Sequence, residues 1–168
     1  MATRIARLPR IAAVYSSPLE RAQETAEPIA TAVGVPVNVE PGLLECDYGE
    51  WTGLPLKELS RKPEWKTVQR YPSGFRFPGG ESFTEMQARM TGTLARLVLA
   101  HPGHTVVAVS HADPIKTAVA HALGTHLDLF QRIAIFTASV TAIAYGPAGP
   151  TVLAVNGTRG DLAPLVHS

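Results

Sequence analysis

Four consecutive apolar residues, Val106-Val107-Ala108-Val109, run directly into Ser110-His111-Ala112-Asp113-Pro114-Ile115-Lys116, and this stretch constrains the fold more than any other. An unbroken apolar run, as opposed to an alternating one, is the pattern of a strand buried on both faces, as in a parallel sheet covered by helices. Asp113 is a suitable N-cap and Pro114 a suitable first helical residue, so a helix is predicted to begin there. The backbone N–H groups from Ala112 to Ile115 would then point at whatever lies beside His111. That is anion-binding geometry. In open α/β sheets, ligands collect at the carboxyl ends of strands, which is where His111 falls.

Composition limits the functions open to the chain. Its 168 residues, 45% of them hydrophobic, suffice for one domain with a real core, taken as residues 1–168. Fifteen basic residues against fourteen acidic ones give a net charge of +1, so there is no global field to attract nucleic acid or an anionic membrane. Anion specificity must therefore be local. The lone Cys46 cannot form an intrachain disulfide, no segment is long and apolar enough to span a bilayer, and the amino terminus lacks a signal-peptide core. A cytoplasmic location is expected. His101, His104, His121, His126 and His167 have no metal-ligand setting, so neither a metal nor another cofactor is expected.

From the amino terminus, Met1 to Arg7 resembles the end of a helix, and Ile11 to Tyr15 a strand. Ser17-Pro18-Leu19-Glu20 has the form of a capping box, with Ser17 at the N-cap, and predicts a helix ending at Gly34. Pro28 within it predicts a kink or an early stop. Arg21 falls in the first turn, where a cation is unfavourable unless an anion is bound nearby. A planar guanidinium grips phosphate through two parallel hydrogen bonds, which suits Arg21 to such an anion; pairing with Glu24 or Thr25 is the plainer alternative. Val35 to Val39 is a short strand candidate.

Leu43 to Gly53 mixes carboxylates, aromatics and glycines without a regular period and reads as an ordered loop. Glu45, Asp47 or Glu50 could each supply a general acid beside Tyr48 and Trp51, and position alone does not choose among them. Short helices are expected between Pro55 and Tyr71, broken at Lys62-Pro63. The stretch Trp65 to Phe77, with Lys66, Arg70 and Arg76, would shape the rim of a pocket. A second capping box, Ser82 to Glu85, opens the longest helix, whose face of Phe83, Met86, Met90, Leu94, Leu97 and Val98 is core. Thr137 to Tyr145 and Thr151 to Val155 form a strand pair about the turn Gly146 to Pro150.

Four segments in order, Ser16-Ser17-Pro18-Leu19-Glu20-Arg21, Leu44-Glu45-Cys46-Asp47-Tyr48-Gly49-Glu50-Trp51, Pro78-Gly79-Gly80-Glu81-Ser82 and Ser110-His111-Ala112-Asp113, resemble the histidine phosphatase superfamily, which includes cofactor-dependent phosphoglycerate mutases. The nearest likeness is to small bacterial broad-specificity phosphatases. The resemblance implies a three-layer α/β/α fold with a mostly parallel sheet, and a small-molecule phosphomonoester as substrate. It implies phosphoryl transfer through a phosphohistidine without metal. Arg21 would clamp phosphate, Glu45 would protonate the leaving oxygen, and His111 would donate to the phosphoryl oxygens. Tyr48 and Asp113 match positions lining the substrate pocket. Ala112 stands where glycine is usual, and its N–H should remain available.

One departure outweighs these matches. The family's nucleophilic histidine lies in an Arg-His-Gly motif at the end of its first strand, and this sequence has no Arg-His-Gly. The resemblance implies that this first strand, which lies inside the family's sheet, is missing, leaving strand pairing unmade and apolar surface exposed. The expectation is a phosphomonoester phosphatase in complete form, inactive as these 168 residues. The alternatives are a non-catalytic phosphoester-binding or interaction domain and a product that does not fold stably. An uncovered sheet edge would also invite self-association into a homo-oligomer.

Overall fold

The computed structural model describes residues 1–158 together with Gly160 and Leu162; of the histidines, His167 lies outside the described residues. After a short helix α1 (Ala2–Ile5) come strand β1 (Ile11–Ser16), helix α2 (Glu20–Val33) and strand β2 (Val37–Val39). A long irregular stretch follows, with 3-10 turns at Pro41–Leu43, Gly49–Trp51 and Pro72–Gly74 and the short helices α3 (Leu56–Leu59) and α4 (Trp65–Arg70). Helix α5 (Phe83–Ala100), strand β3 (Thr105–Val109), helix α6 (Ala112–Ala122), a 3-10 segment (Leu127–Arg132) and the hairpin β4 (Val140–Gly146) and β5 (Gly149–Gly157) complete it.

Strands β2, β1 and β3 pair side by side, all parallel, with Val14 opposite Val37 on one flank and Val107 on the other. Side chains alternate along them. Val14, Val107 and Val109 pack toward Ile29 and Ala30 of α2, whereas Tyr15 and Ala108 pack toward Met90 of α5 and Ala118 of α6. The three layers thus follow from a period-two strand meeting one apolar helix stripe on each face.

The β4–β5 hairpin is antiparallel and not hydrogen-bonded to the parallel sheet. It nevertheless continues both layers, since Val140 joins the α2 side and Ile143 the α5–α6 side. Between β3 and β4 lies a cleft of about 1360 Å3, lined along its length by Thr105 to Val109 and Val140 to Gly146. This accounts for a difference from expectation at the central apolar run. β3 is only half-buried at all five positions, because its second edge opens onto the cleft instead of a neighbouring strand.

Helix α2 runs unbroken past Pro28. The proline and Glu24, whose carbonyl loses its usual partner, are both exposed, so that carbonyl is open to solvation and no kink or early stop is required. Helix α5 begins as anticipated: Ser82 Oγ accepts from the Glu85 N–H at 3.2 Å, and Glu85 Oε2 accepts from the Ser82 N–H at 2.8 Å. Phe83, Met86, Met90 and Leu97 are buried along it, with Leu94 and Val98 half-buried.

Candidate active site

The carboxyl ends of β1 and β3 lie side by side because the strands are parallel, and the Ser17 N–H donates to the Val109 carbonyl at 2.9 Å to hold them there. Two polar segments leave from that edge, Ser17 to Arg21 and Ser110 to Asp113. His111 is only 8% exposed, and its Nε2 is hydrogen-bonded to Ser17 Oγ at 2.8 Å. That contact overturns the capping box expected at Ser17. The N-cap of α2 is Leu19 without a side-chain cap; Ser17 Oγ, held at Nε2 of a histidine 94 residues away, reaches only the Leu19 N–H, from which it accepts at 3.4 Å.

Helix α6 also starts earlier than expected. Its N-cap is His111, in extended conformation, and not Asp113, whose carboxylate accepts from Tyr48 Oη at 3.3 Å and Lys116 Nζ at 3.0 Å. The Ile115 N–H bonds the His111 carbonyl at 3.1 Å and Pro114 has none. Of the three N–H groups in the stretch Ala112 to Ile115, only those of Ala112 and Asp113 therefore remain to face an anion.

Arg21 stands in the first turn of α2, exposed, and forms no salt bridge among the described residues. Thr25 bonds its backbone carbonyl at 3.0 Å, so the plainer pairing with Thr25 does not occupy the guanidinium. Arg21, Glu45, Ser110, His111 and Ala112 line one end of the cleft beside β3. His101 and His104 line it too, but from the segment preceding the strand, at the opposite end.

Glu45 is singled out from its two neighbouring acids. Asp47 is exposed and accepts from the Gly49 N–H at 3.0 Å, and Glu50 is exposed, whereas Glu45 is half-buried in the cleft. Burial raises its pKa from 4.5 to about 7, against the Cys46 N–H that bonds its Oε1 at 3.0 Å; the Asp113 carboxylate adds to the rise, and Arg21 and Lys116 oppose it. His111 moves the other way, from 6.5 to about 4, through burial and then the cations Arg21 and Arg89. Near pH 7 the cleft therefore presents a carboxyl that readily carries a proton and a neutral imidazole.

Reading α5 as core overlooked Arg89. Its guanidinium donates to the carbonyls of Gly42 at 3.0 Å, Leu44 at 2.9 Å and Glu45 at 3.2 Å, and pairs with Glu81 at 2.5 Å. Glu81 in turn accepts from the Asp47 N–H at 3.0 Å. The loop that carries Glu45 is thus fixed by an arginine on the long helix, with Ser110 Oγ holding the Leu43 carbonyl at 2.7 Å. One signal was available: a cation set beside the apolar stripe of α5, eight residues beyond the glutamate that follows Gly79-Gly80.

Tyr48 and Asp113, joined by their hydrogen bond, stand on the far side and line a second, apolar pocket. Burial, then the acidic neighbours led by Asp113, push the Tyr48 phenol well up, so it stays a donor. Trp65 and Phe77 line this pocket as expected of that stretch, whereas Lys66, Arg70 and Arg76 do not; Arg76 instead pairs with Glu85.

Parallel strands between helical layers, with Arg21, Glu45 and His111 lining one end of the cleft beside β3, make an α/β fold of the phosphoglycerate mutase-like class. The family model of the histidine phosphatase superfamily (branch 1) matches residues 1–158, and the chain belongs to that superfamily. It is 36% identical over 156 residues to the bifunctional protein Rv2228c of Mycobacterium tuberculosis, covering 92% of this chain and 43% of that protein. The chain thus spans less than half the length of that relative. It is 33% identical to phosphoserine phosphatase 1 of Hydrogenobacter thermophilus over 85% of this chain and 69% of the relative. Among solved structures, Bacillus stearothermophilus YhfR superposes with a TM-score of 0.83 at 28% identity, over 98% of this chain and 82% of that one. No helix of the described residues is long and apolar enough to cross a membrane.

Proposed function

We propose that this chain is the phosphate-binding part of a phosphomonoester phosphatase that works through a phosphohistidine. The observation that carries this is the grouping of Arg21, His111 and a Glu45 carboxyl with a pKa of about 7 at one end of one cleft. In the reaction, a nucleophilic histidine attacks phosphorus, the bond to the ester oxygen breaks, and Glu45 gives that oxygen its proton. Water then attacks the phosphohistidine, releasing phosphate. Arg21 and the first-turn N–H groups of α6 hold the nonbridging oxygens, and His111 donates to them as charge builds.

The nucleophile is not His111, which is bonded to Ser17 and flanked by cations. We assign it to an additional strand seated between β3 and β4, whose end would meet Arg21 and His111. The 168-residue chain alone then binds phosphate and phosphomonoesters without turning them over. Calorimetric titration with inorganic phosphate tests this: binding is expected in the wild type and at least about tenfold weaker in Arg21→Ala. Metal-independent turnover by the 168-residue chain would refute the assignment of the nucleophile. Absence of phosphate binding would refute the site.

A further inference from the structure

His111 has two ring nitrogens, and the protein bonds only one of them. Nε2 lies 2.8 Å from Ser17 Oγ. Nδ1 has no hydrogen-bond partner among the described residues and is not sealed from solvent. Because His111 lines the cleft, Nδ1 is the nitrogen it presents there. A neutral imidazole carries one proton, and the direction of the Ser17 bond decides which nitrogen holds it.

That direction follows from what else Ser17 Oγ can reach. Ser17 is 0% exposed, and among the described residues its Oγ meets only Nε2 and the Leu19 N–H, from which it accepts at 3.4 Å. If Nε2 held the proton, Oγ would accept twice, and its own O–H would be left in the interior without an acceptor. If instead the hydroxyl donates to Nε2, the Leu19 N–H, the hydroxyl and Nε2 are all satisfied, and the ring proton sits on Nδ1. A buried donor left unpaired is costly enough to favour the second arrangement at least about fivefold.

Both ends of the bond are anchored. The Ser17 N–H donates to the Val109 carbonyl at 2.9 Å, and the His111 carbonyl accepts from the Ile115 N–H at 3.1 Å. The ring is neutral near pH 7, because burial and then the cations Arg21 and Arg89 disfavour the imidazolium.

We infer that Ser17 is a positioning residue that holds His111 as its Nδ1–H tautomer, so that Nδ1–H is the donor His111 offers to a phosphoryl oxygen in the cleft. The acceptor rests on the phosphate site proposed above, whereas the tautomer stands on the Ser17 bond alone. The other tautomer would turn a bare Nδ1 lone pair toward the phosphate and repel its oxygens.

Long-range proton–nitrogen correlation spectra of the imidazoles test this on the 168-residue chain near pH 7. Among six histidines, the His111 signals are those lost in His111→Gln. In the wild type, Nδ1 is expected to be protonated over Nε2 by at least about fivefold. Ser17→Ala is expected to lose that excess and Ser17→Thr, which keeps a hydroxyl, to retain it. Adding inorganic phosphate should move Nδ1 and its proton and leave Nε2 in place, and calorimetry should show binding about fivefold weaker in Ser17→Ala but not in Ser17→Thr. A wild type protonated on Nε2, an Nδ1–H preference that survives in Ser17→Ala, or phosphate moving Nε2 instead would each overturn the inference. If phosphate does not bind while Ser17→Ala alone loses the Nδ1–H preference, the phosphate site falls and the hold of Ser17 on the tautomer stands.

Discussion

The Arg89 guanidinium donates to the carbonyl of Glu45 at 3.2 Å, so a residue on the long core helix holds the backbone of the one carboxyl in the cleft whose pKa approaches neutrality. Three carbonyls and the Glu81 carboxylate share that single cation.

Replacing Arg89 by alanine should therefore cost more than a surface charge. It leaves Glu81, 16% exposed, without its partner and frees the loop from Gly42 to Glu45. We expect a loss of about 2–3 kcal/mol in urea unfolding, reduced from the fully buried case by partial solvation. Arg89→Lys should recover only part of it, because an ammonium cannot span the same acceptors in one plane. A loss below about 0.5 kcal/mol would show that the loop holds itself.

Glu45 and His111 should oppose each other in the pH dependence of stability. Glu45 binds its proton more tightly folded than unfolded, so its contribution is full below about pH 4.5 and is lost as pH rises to about 7. His111 binds its proton less tightly folded, so its contribution is present above about pH 6.5 and is lost as pH falls to about 4. Each is worth on the order of 2–3 kcal/mol, and between pH 4.5 and 6.5 the slopes nearly cancel. Glu45→Gln should make stability rise with pH across that window, and His111→Gln should make it fall. Parallel profiles for the two variants would contradict this.

Ser17→Ala removes the hydroxyl from His111 Nε2 where both residues are buried. A destabilisation of about 1–2 kcal/mol is expected, the cost of one unpaired buried polar atom. The Leu19 N–H, which donates to Ser17 Oγ at 3.4 Å, loses that acceptor too, but the first turn of α2 beyond it should be unaffected, since Ser17 is not the N-cap. Hydrogen exchange at residues 20–24 separates the two effects: faster exchange confined to that turn would restore Ser17 to a capping role.

Gly49 and Gly53 both have positive φ, at +51 and +79, but differ in surroundings. A Cβ on Gly49 would lie 2.2 Å from the Pro78 carbonyl oxygen, where the loops around residues 47–50 and 78–81 cross backbone to backbone. One on Gly53 would meet nothing within 4 Å. Gly49→Ala should thus cost about 2–4 kcal/mol and Gly53→Ala about 1 kcal/mol, as read from thermal unfolding. Equal costs would mean that conformation alone, and not the crossing, sets the requirement.

Local chemistry was legible wherever the partners were near in sequence. Ser82 and Glu85 cap α5 as their spacing predicts, and the apolar stripes of α5 and of the strands locate the three layers. Ser17 and Glu20 share the same pattern and do not form a capping box: Ser17 Oγ is held at 2.8 Å by His111 from across the sheet and reaches only the Leu19 N–H, at 3.4 Å. Asp113 looked like an N-cap and is instead held by Tyr48 and Lys116.

The sequence by itself determined the elements and the family resemblance through which Arg21, Glu45 and His111 became candidates, because periodicity, turn residues and short motifs act over a few residues. Only the tertiary structure decided which acid faces the cleft, that Arg89 anchors it, and that β3 and β4 leave a strand-wide cleft between them. Those outcomes depend on contacts between residues tens of positions apart, and hydrogen-bonding groups and charges go to whichever partner the packed fold brings within reach.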